Sequence, residues 1–398
     1  MANDLVLNRL KAHLGVFAYA PMDGVVSPDY TVFRLIRNGN VRFFECVFKT
    51  PTYISELRRS TKGIVEGFWR LYTDDFHSIR VPVPPPAEQR IIMDWVDCFD
   101  RMVHGFIRAK RRLIELLNEQ KQAIIHCAVT RGLDPNIRLK PSGVEWLGDV
   151  PGHWKVARLK DAAVVQTGLT LGKNYGGLET ESRPYLRVAN VQQGRVNLKH
   201  VKHTDVPSNE AAGVTLKAGD VLMTEGGDID KLGRGCVWRG EIPGCLHQNH
   251  VFAVRCRHDV LLPEFLVGLM TSQNGRAYFQ LTAKQTTNLA STNSTTLRAF
   301  PIVLPPVAEQ RAILDEVARQ TSGLDAAITR AENEIALLRE YRTRLIADVV
   351  TGKLEVRSAE LPKADETAMR GDFDDSEDVA VLAEEADEVE ATEEEDAG

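Results

Sequence analysis

Residues 84–96 read PPPAEQRIIMDWV, and residues 305–317 read PPVAEQRAILDEV. They are one segment written twice, 221 residues apart. At that single offset and with no gap, residues 87–133 lie over 308–354, and about a third of the aligned positions are identical. A gapless match of this length marks an internal repeat, and the repeat sets the reading of everything around it.

Both copies are helical by pattern, because neither holds a proline after its opening prolines and apolar residues return every three or four positions. In the second copy Leu314, Ile328, Ile335 and Val349 fill one heptad column, and Val317, Leu324, Ala331, Leu338 and Leu345 fill the other. The first copy answers with Met93, Ile107, Ile114 and Ala128, and with Val96, Val103, Leu117 and Ile124. The columns break at shared places, at Asp100 and Thr321 and again at Lys121 and Arg342. Each copy thus has a coiled-coil seam, and a helix of about 44 residues extends roughly 66 Å. Its stripe needs a partner, either the other copy running antiparallel or a second chain. Two amphipathic core helices of a helical protein are the plainer reading. Against it stands what precedes each copy, a β-rich segment ending in Val81-Pro82-Val83-Pro84-Pro85 or Ile302-Val303-Leu304-Pro305-Pro306, which stops a strand and starts a helix in one place.

Between the helices, residues 151–304 hold short strand-like runs such as Ala163-Val164-Val165, Asp220-Val221-Leu222-Met223 and Val251-Phe252-Ala253-Val254, set off by Gly-rich turns. Residues 1–83 look like the second half of such a domain: Asp4-Leu5-Val6-Leu7-Asn8 matches Asp220-Val221-Leu222-Met223-Thr224, and Phe44 and Thr50 fall on Phe265 and Thr271. The expected class is α+β, with mostly-β domains alternating with two long coiled-coil-forming helices. The expected order is a partial domain (1–83), a helix (84–133), a linker (134–150), a whole domain (151–304), a second helix (305–356) and an acidic disordered tail (357–398).

The net charge of −6 hides an asymmetry. Residues 359–398 hold 17 Asp and Glu against Lys363 and Arg370, leaving 47 of the 49 Lys and Arg and 38 of the 55 Asp and Glu in residues 1–358, a net +9. A modestly basic body suits a phosphate backbone, and an ordinary solvated surface can reach the same value. The tail has the composition of disorder. Neither a signal peptide nor a membrane-spanning run of about 18 apolar residues is found, and the six cysteines form no CxxC pair, so a reducing, cytoplasmic location is expected.

This order of motifs resembles the specificity subunits of type I restriction-modification systems. The resemblance rests on PPxAEQR at both helix starts, Tyr72-Thr73-Asp74-Asp75-Phe76 ahead of the first, Asn8-Arg9-Leu10-Lys11-Ala12 with the stretch from Gly24 to Tyr30, and Ser142-Gly143-Val144-Glu145-Trp146-Leu147-Gly148 with His153-Trp154 at the entry to the second domain. It covers most of residues 1–356. The family implies two target-recognition domains, each reading half of a split double-stranded DNA site, held apart by two antiparallel helices. Those helices dock the methyltransferase subunits, and the restriction and translocase subunit joins the same assembly. S-adenosylmethionine, ATP and Mg belong to these partners, and none is expected on this chain. The sequence departs from the family in its first recognition domain, which starts about where the second has reached Gly219-Asp220. That shortening puts recognition of the first half-site in doubt.

No residues for catalysis of its own are found: no Asn-Pro-Pro-aromatic motif, no GxxxxGK[ST] loop and no GxGxxG opening a helix. Cys236, Cys245, His247 and His250 lack the paired spacings of structural zinc, so no metal site is expected. DNA readout needs cations for phosphates and Arg, Asn, Gln or Thr for base edges. The candidates in the second domain are Arg187, Asn190, Gln192, Gln193 and Arg195, then Lys231 and Arg234, then Gln285, Thr286, Thr287 and Asn288. In the first they are Asn8, Arg9, Lys11, Arg34 and Arg37. Each alone reads equally well as part of a solvated loop, and the architecture is what groups them. For subunit docking the helix candidates are Glu88, Gln89, Arg90, Val96, Ile107 and Leu117, with Glu309, Gln310, Arg311, Val317, Leu324, Ile328, Leu338 and Leu345. Other readings are a half-type specificity protein that dimerises through its helices, a nuclease, and a structural coiled-coil protein that binds no DNA.

Overall fold

The computed structural model describes residues 1–65, 68–227, 229, 232–285 and 290–358. The chain forms two compact units, Met1–Ile114 with Thr329–Gly398, and Glu115–Ile328. In the first, alternating apolar residues build an antiparallel sheet of β1 (Leu5–Asn8), β2 (Phe17–Tyr19) and β3 (Tyr30–Phe33), with β1 in the middle. Helices α1 (Val41–Phe48) and α2 (Pro51–Ser60) follow, started by Asn40 and Thr50, whose side chains accept from the amides of Arg42 and Tyr53. A hairpin, β4 (Lys62–Val65) and β5 (Phe68–Arg70), leads to α3 (Thr73–His77) and then to α4 (Pro86–Arg131), 46 residues long. The core of this unit joins Leu5, Leu7, Phe17, Phe43, Phe48 and Phe76 to Met93, Val96, Phe99, Val103 and Ile107 of α4.

The second unit opens with a hairpin, β6 (Leu139–Pro141) and β7 (Asp149–Pro151), then β8 (Lys155–Arg158), β9 (Ala163–Thr167), β10 (Glu181–Leu186), β11 (Val191–Gln192), β12 (Arg195–Val196) and β13 (Lys202–Val206). After α5 (Ser208–Val214) come β14 (Asp220–Thr224), β15 (Gly226–Gly227), β16 (Gly235–Val237), β17 (Leu246–His247) and β18 (Val251–Cys256). Helices α6 (Pro263–Thr271) and α7 (Gln273–Thr282), strands β19 (Lys284–Gln285) and β20 (Ala290–Ser291), α8 (Ser294–Ala299) and β21 (Pro301–Leu304) lead into α9 (Val307–Val350). The main sheet has the order β16-β14-β18-β9, and β21 pairs with β8.

The two sheets share one register. Leu5 lies opposite Tyr19 and Phe33, as Val221 lies opposite Val237 and Val254. Asp4 sits at the start of β1 and accepts both guanidinium nitrogens of Arg34 at 2.8 Å, as Asp220 accepts those of Arg255 at 2.8 and 2.6 Å. Arg34 and Arg255 are 221 residues apart, the helix offset. The Arg34 hydrogen bonds hold the Asp4 carboxyl well below the usual carboxylate range.

The repeated glutamine explains why each long helix begins where it does. Proline at a helix start forgoes a donor the helix cannot use there, and the glutamine four residues after the first proline of copy one then reaches back. Gln89 accepts from the Asn40 amide at 2.7 Å and donates to the Pro84 carbonyl at 2.9 Å. Gln310 accepts from the Leu262 amide and donates to the carbonyls of Val260 and Pro305, at 2.8 to 2.9 Å. Both are buried. Each helix is thereby pinned to the turn that opens α1 or α6, within its own unit. Each helix stops at a glycine with positive φ, Gly132 or Gly352, a conformation that costs glycine no Cβ clash.

The heptad columns face each other. In the first unit α4 and α9 run antiparallel, with Ile107 beside Ile335 in one cluster and Lys110 at 2.5 Å from Glu334. The polar breaks in the columns are met across the seam: Arg342 donates to both carboxylate oxygens of Asp100 at 2.8 and 2.9 Å. In the second unit Lys121 pairs with Asp325 at 2.5 Å, and Ala128, Val129 and Ile313 enter one core. Among the described residues no helix is long and apolar enough to cross a membrane.

Breaking the Asp100–Arg342 pair strands a half-buried charge in an apolar seam. Arg342→Leu alone is expected to cost about 1–3 kcal/mol, and Asp100→Leu with Arg342→Leu to cost less than the sum of the singles. Urea unfolding of the four proteins in a double-mutant cycle measures this, and additive losses would show that the pair does not hold the register.

Candidate nucleic-acid interface

The second unit gathers its candidate residues along one glycine-rich loop. Strands β11 and β12 form a hairpin with Gln192 opposite Arg195, and Arg195 donates through Nε to Gln192 Oε1 at 2.9 Å. Gln193 and Gly194 turn the hairpin, and Gly194 donates its amide to Gly235 at 3.0 Å. The hairpin therefore rests on the far end of the segment that carries Arg234. At the near end, β15 pairs with β20, and β20 with β19, so Gln285 is exposed beside Gly226-Gly227. Lys231, Thr286, Thr287 and Asn288 lie outside the described residues.

Asn190 has a different job from the expected one. It is buried, accepts from the Arg187 amide at 2.8 Å, and donates to the carbonyls of Asn197 and His200. All its hydrogen-bonding capacity goes into shaping the turn before β11, and none is left for a base. Arg187 remains half-buried at the root of that turn.

In the first unit the same correction applies more widely. Asn8 accepts from the amides of Leu10 and Lys11, Arg9 is held by the carbonyls of Pro28 and Asp29, and Arg34 is committed to Asp4. Lys11 belongs to the turn that Asn8 organises, and Arg37 is exposed. The basic residues here mostly stabilise the half domain they sit in.

A rim that residue type alone did not single out joins this surface. Gln248 donates its amide to Leu186, the residue before Arg187, and Asn249 donates its amide to Leu169. His250 Nδ1 lies 2.7 Å from Glu225 Oε2, and the Glu225 carbonyl accepts from the Thr292 amide. The signal was the polar triplet Gln248-Asn249-His250 immediately before the apolar run of β18. Donors and acceptors thus alternate along one edge, as base-edge recognition requires.

Burial accounts for the cysteines and one histidine. Cys236, Cys245 and Cys256 are buried, and loss of hydration pushes each thiol up to about 12. They are packing residues, not thiolates. His247 is fully buried, its Nδ1 2.6 Å from the Val251 carbonyl, and burial lowers its pKa. Among the described residues no three His, Cys, Asp or Glu side chains converge as a metal site.

The helix candidates divide into anchors and seam. Gln89 and Gln310 are the buried clamps described above. Glu309 accepts from Trp154 Nε1 at 3.0 Å and lies 2.7 Å from His153 Nε2, so the second helix is also tied to its domain entry. Glu88 is 3.5 Å from Arg357. Arg90 and Arg311 are exposed. Val96 and Ile107 are buried in the first unit's core with Leu338 and Leu345 packed against it, while Val317 packs against the second unit's core. Leu117, Leu324 and Ile328 are half-buried.

No family model matches the chain. Among curated proteins it is 23% identical over 336 residues to the type I restriction enzyme EcoKI specificity subunit of Escherichia coli, covering 83% of this chain and 68% of that protein. It is 24% identical over 207 residues to the putative type I restriction enzyme MjaX specificity subunit of Methanocaldococcus jannaschii, covering 52% of this chain and 47% of that protein. The chain is a relative of the type I specificity subunits. It spans about half to two thirds of the length of these relatives, and by this kinship it is a non-catalytic subunit. A solved structure from work on complex assembly and conformational transition of the type I R-M system shares the fold, with a TM-score of 0.59 at 17% identity over 89% of this chain and 83% of that one. The α+β class with its long helices is therefore that of the specificity subunits.

Asn190→Ala is expected to destabilise the chain by about 2–3 kcal/mol, since it strands two carbonyls and an amide, whereas Arg195→Ala leaves stability within about 0.5 kcal/mol; equal urea midpoints would remove the distinction. A second expectation concerns acid. His247 and His126 both have pKa values lowered by burial, so as pH falls past the ordinary imidazole value of about 6.5 the unfolded chain takes up protons first and stability drops. His247→Gln should flatten the stability curve between about pH 6.5 and 5, and an unchanged slope would place the effect elsewhere.

Proposed function

We propose that this chain is the DNA-recognition subunit of a type I restriction-modification complex. The second unit reads one half of a split double-stranded site, through Arg187, Gln192, Gln193, Arg195, Arg234 and Gln285 and the rim from Gln248 to His250. The observation that carries this reading is the duplicated arrangement itself: a β sheet, a buried glutamine clamp and a long helix, occurring twice at one offset. Such a chain presents recognition loops on rigid supports, and nothing in it is arranged to break or form bonds.

The helices dock the methyltransferase subunits, and the restriction subunit joins that assembly. Supporting this, the first unit's helix segments carry Phe106, Leu113, Leu337 and Tyr341 outward and exposed, although their seam residues are already paired. S-adenosylmethionine, ATP and Mg act on those partners.

Selection of bound DNA from a random-sequence pool by the chain assembled with its methyltransferase partner tests the reading. A conserved motif is expected, with affinity falling steeply as salt rises. Arg195→Ala with Gln192→Ala should weaken binding to the selected sequence about tenfold or more, and Phe106→Asp should abolish assembly while leaving the fold intact. Equal affinity for all sequences in an assembled complex would overturn it.

A further inference from the structure

In the second unit one continuous run, residues 155–167, closes two strand edges at once. Its first part, β8, pairs with β21, placing Ala157 opposite Ile302. Its second part, β9, pairs with β18, placing Val165 opposite Val254. Between them Leu159 and Ala162 are fully buried, and the Leu159 amide donates to Phe300 at 2.8 Å. The same half of the domain covers the outer face of the sheet, where Leu186, Leu216 and Cys245 bury Leu222, Cys236 and Ala253.

The first unit holds the receiving side of every one of these contacts. At the shared register, Phe33 stands for Val254, Val81 for Ile302 and Ile79 for Phe300, while Val6, Ala18 and Val32 stand for Leu222, Cys236 and Ala253. Among the described residues no strand pairs with the outer edge of β3 or with residues 80–83. Val32 is 44% exposed and Val83 68%, where Ala253 is 0%. Tyr30, Leu35 and Ile36 are exposed beside them. A contiguous apolar surface next to an open strand edge marks a binding face.

We propose that this face of the first unit is a docking surface for a separate polypeptide that carries the counterpart of residues 151–219, adding one strand to β3 and one to residues 80–83. The occupant is identified by what fills the identical positions in the second unit: a strand, a buried tight turn and a second strand. A second copy of this chain is a poor donor, because its own residues 155–167 are already engaged and could be lent only by opening its second unit. The proposal holds whether or not the second unit reads DNA.

The test uses the full chain and a labelled peptide with the sequence of residues 155–167. The expected result is saturable binding of one peptide per chain, weakened about tenfold or more when the peptide's backbone is N-methylated at alternate residues, because added strands bind through main-chain hydrogen bonds. Hydrogen exchange should show new protection at residues 30–33 and 80–83 and none at 252–256. Absence of saturable binding would overturn the proposal, as would protection confined to 252–256, which would mean that the peptide displaces the chain's own segment. So would a chain that sediments as a dimer and becomes monomeric on Val32→Lys, since the occupant would then be a second copy.

Discussion

A helix of 46 residues with an apolar stripe along its length is not stable alone in water, because helices draw most of their stability from packing that stripe. The rest of this molecule depends on that constraint. The stripe of α4 is covered at one end by the first unit's sheet helices and by the returning α9, and at the other by the second unit's core. Apolar burial fixes only that the helices meet. The register comes from the few polar residues that the seam admits, Asp100 with Arg342 and Lys121 with Asp325, since a shift along the seam would leave them facing hydrocarbon. The attachment to each domain comes from the glutamine clamps, which satisfy backbone groups that a helix start leaves open.

Much of the fold was legible in the sequence because it is periodic. The repeat offset, the heptad columns and the proline starts gave both long helices to within a few residues. The Asp4-Leu5-Val6-Leu7 match to Asp220-Val221-Leu222-Met223 put a half domain in front. Less legible was the meaning of the column breaks: Asp100 and Arg342 read as gaps in the seam when each helix is taken alone, and only the antiparallel alignment brings them together. The glutamines read as surface docking residues for the same reason, since their partners, Asn40 and Leu262, lie nearly fifty residues upstream.

The recognition surface was the least legible part, for a chemical reason. Asn, Gln and Arg serve equally well for reading a base edge and for tying a loop together, and type alone does not separate the two uses. Asn190, Asn8 and Arg34 are spent internally, whereas Gln193 and Gln285 are exposed. What separates them is burial, which depends on turns such as the one around Asn190. The Gln248-Asn249-His250 rim shows the converse, polar residues brought to the surface edge by strand ends that are distant in sequence.

The common register of the two sheets also bears on the chain's history. A protein built with a period of 221 residues can lose one period without losing sense: a crossover within the matched helix segments removes 221 codons in frame and joins the start of one helix to the remainder of the other. The product would keep the half domain, one clamp and one complete helix. Small insertions have accumulated in the turns between β1, β2 and β3 and their counterparts, but the clamp-to-helix stretch has kept its length. The matched segments thus remain in phase as sites of rearrangement, and whole recognition units, rather than single residues, are the pieces that such a gene can most readily gain, lose or exchange.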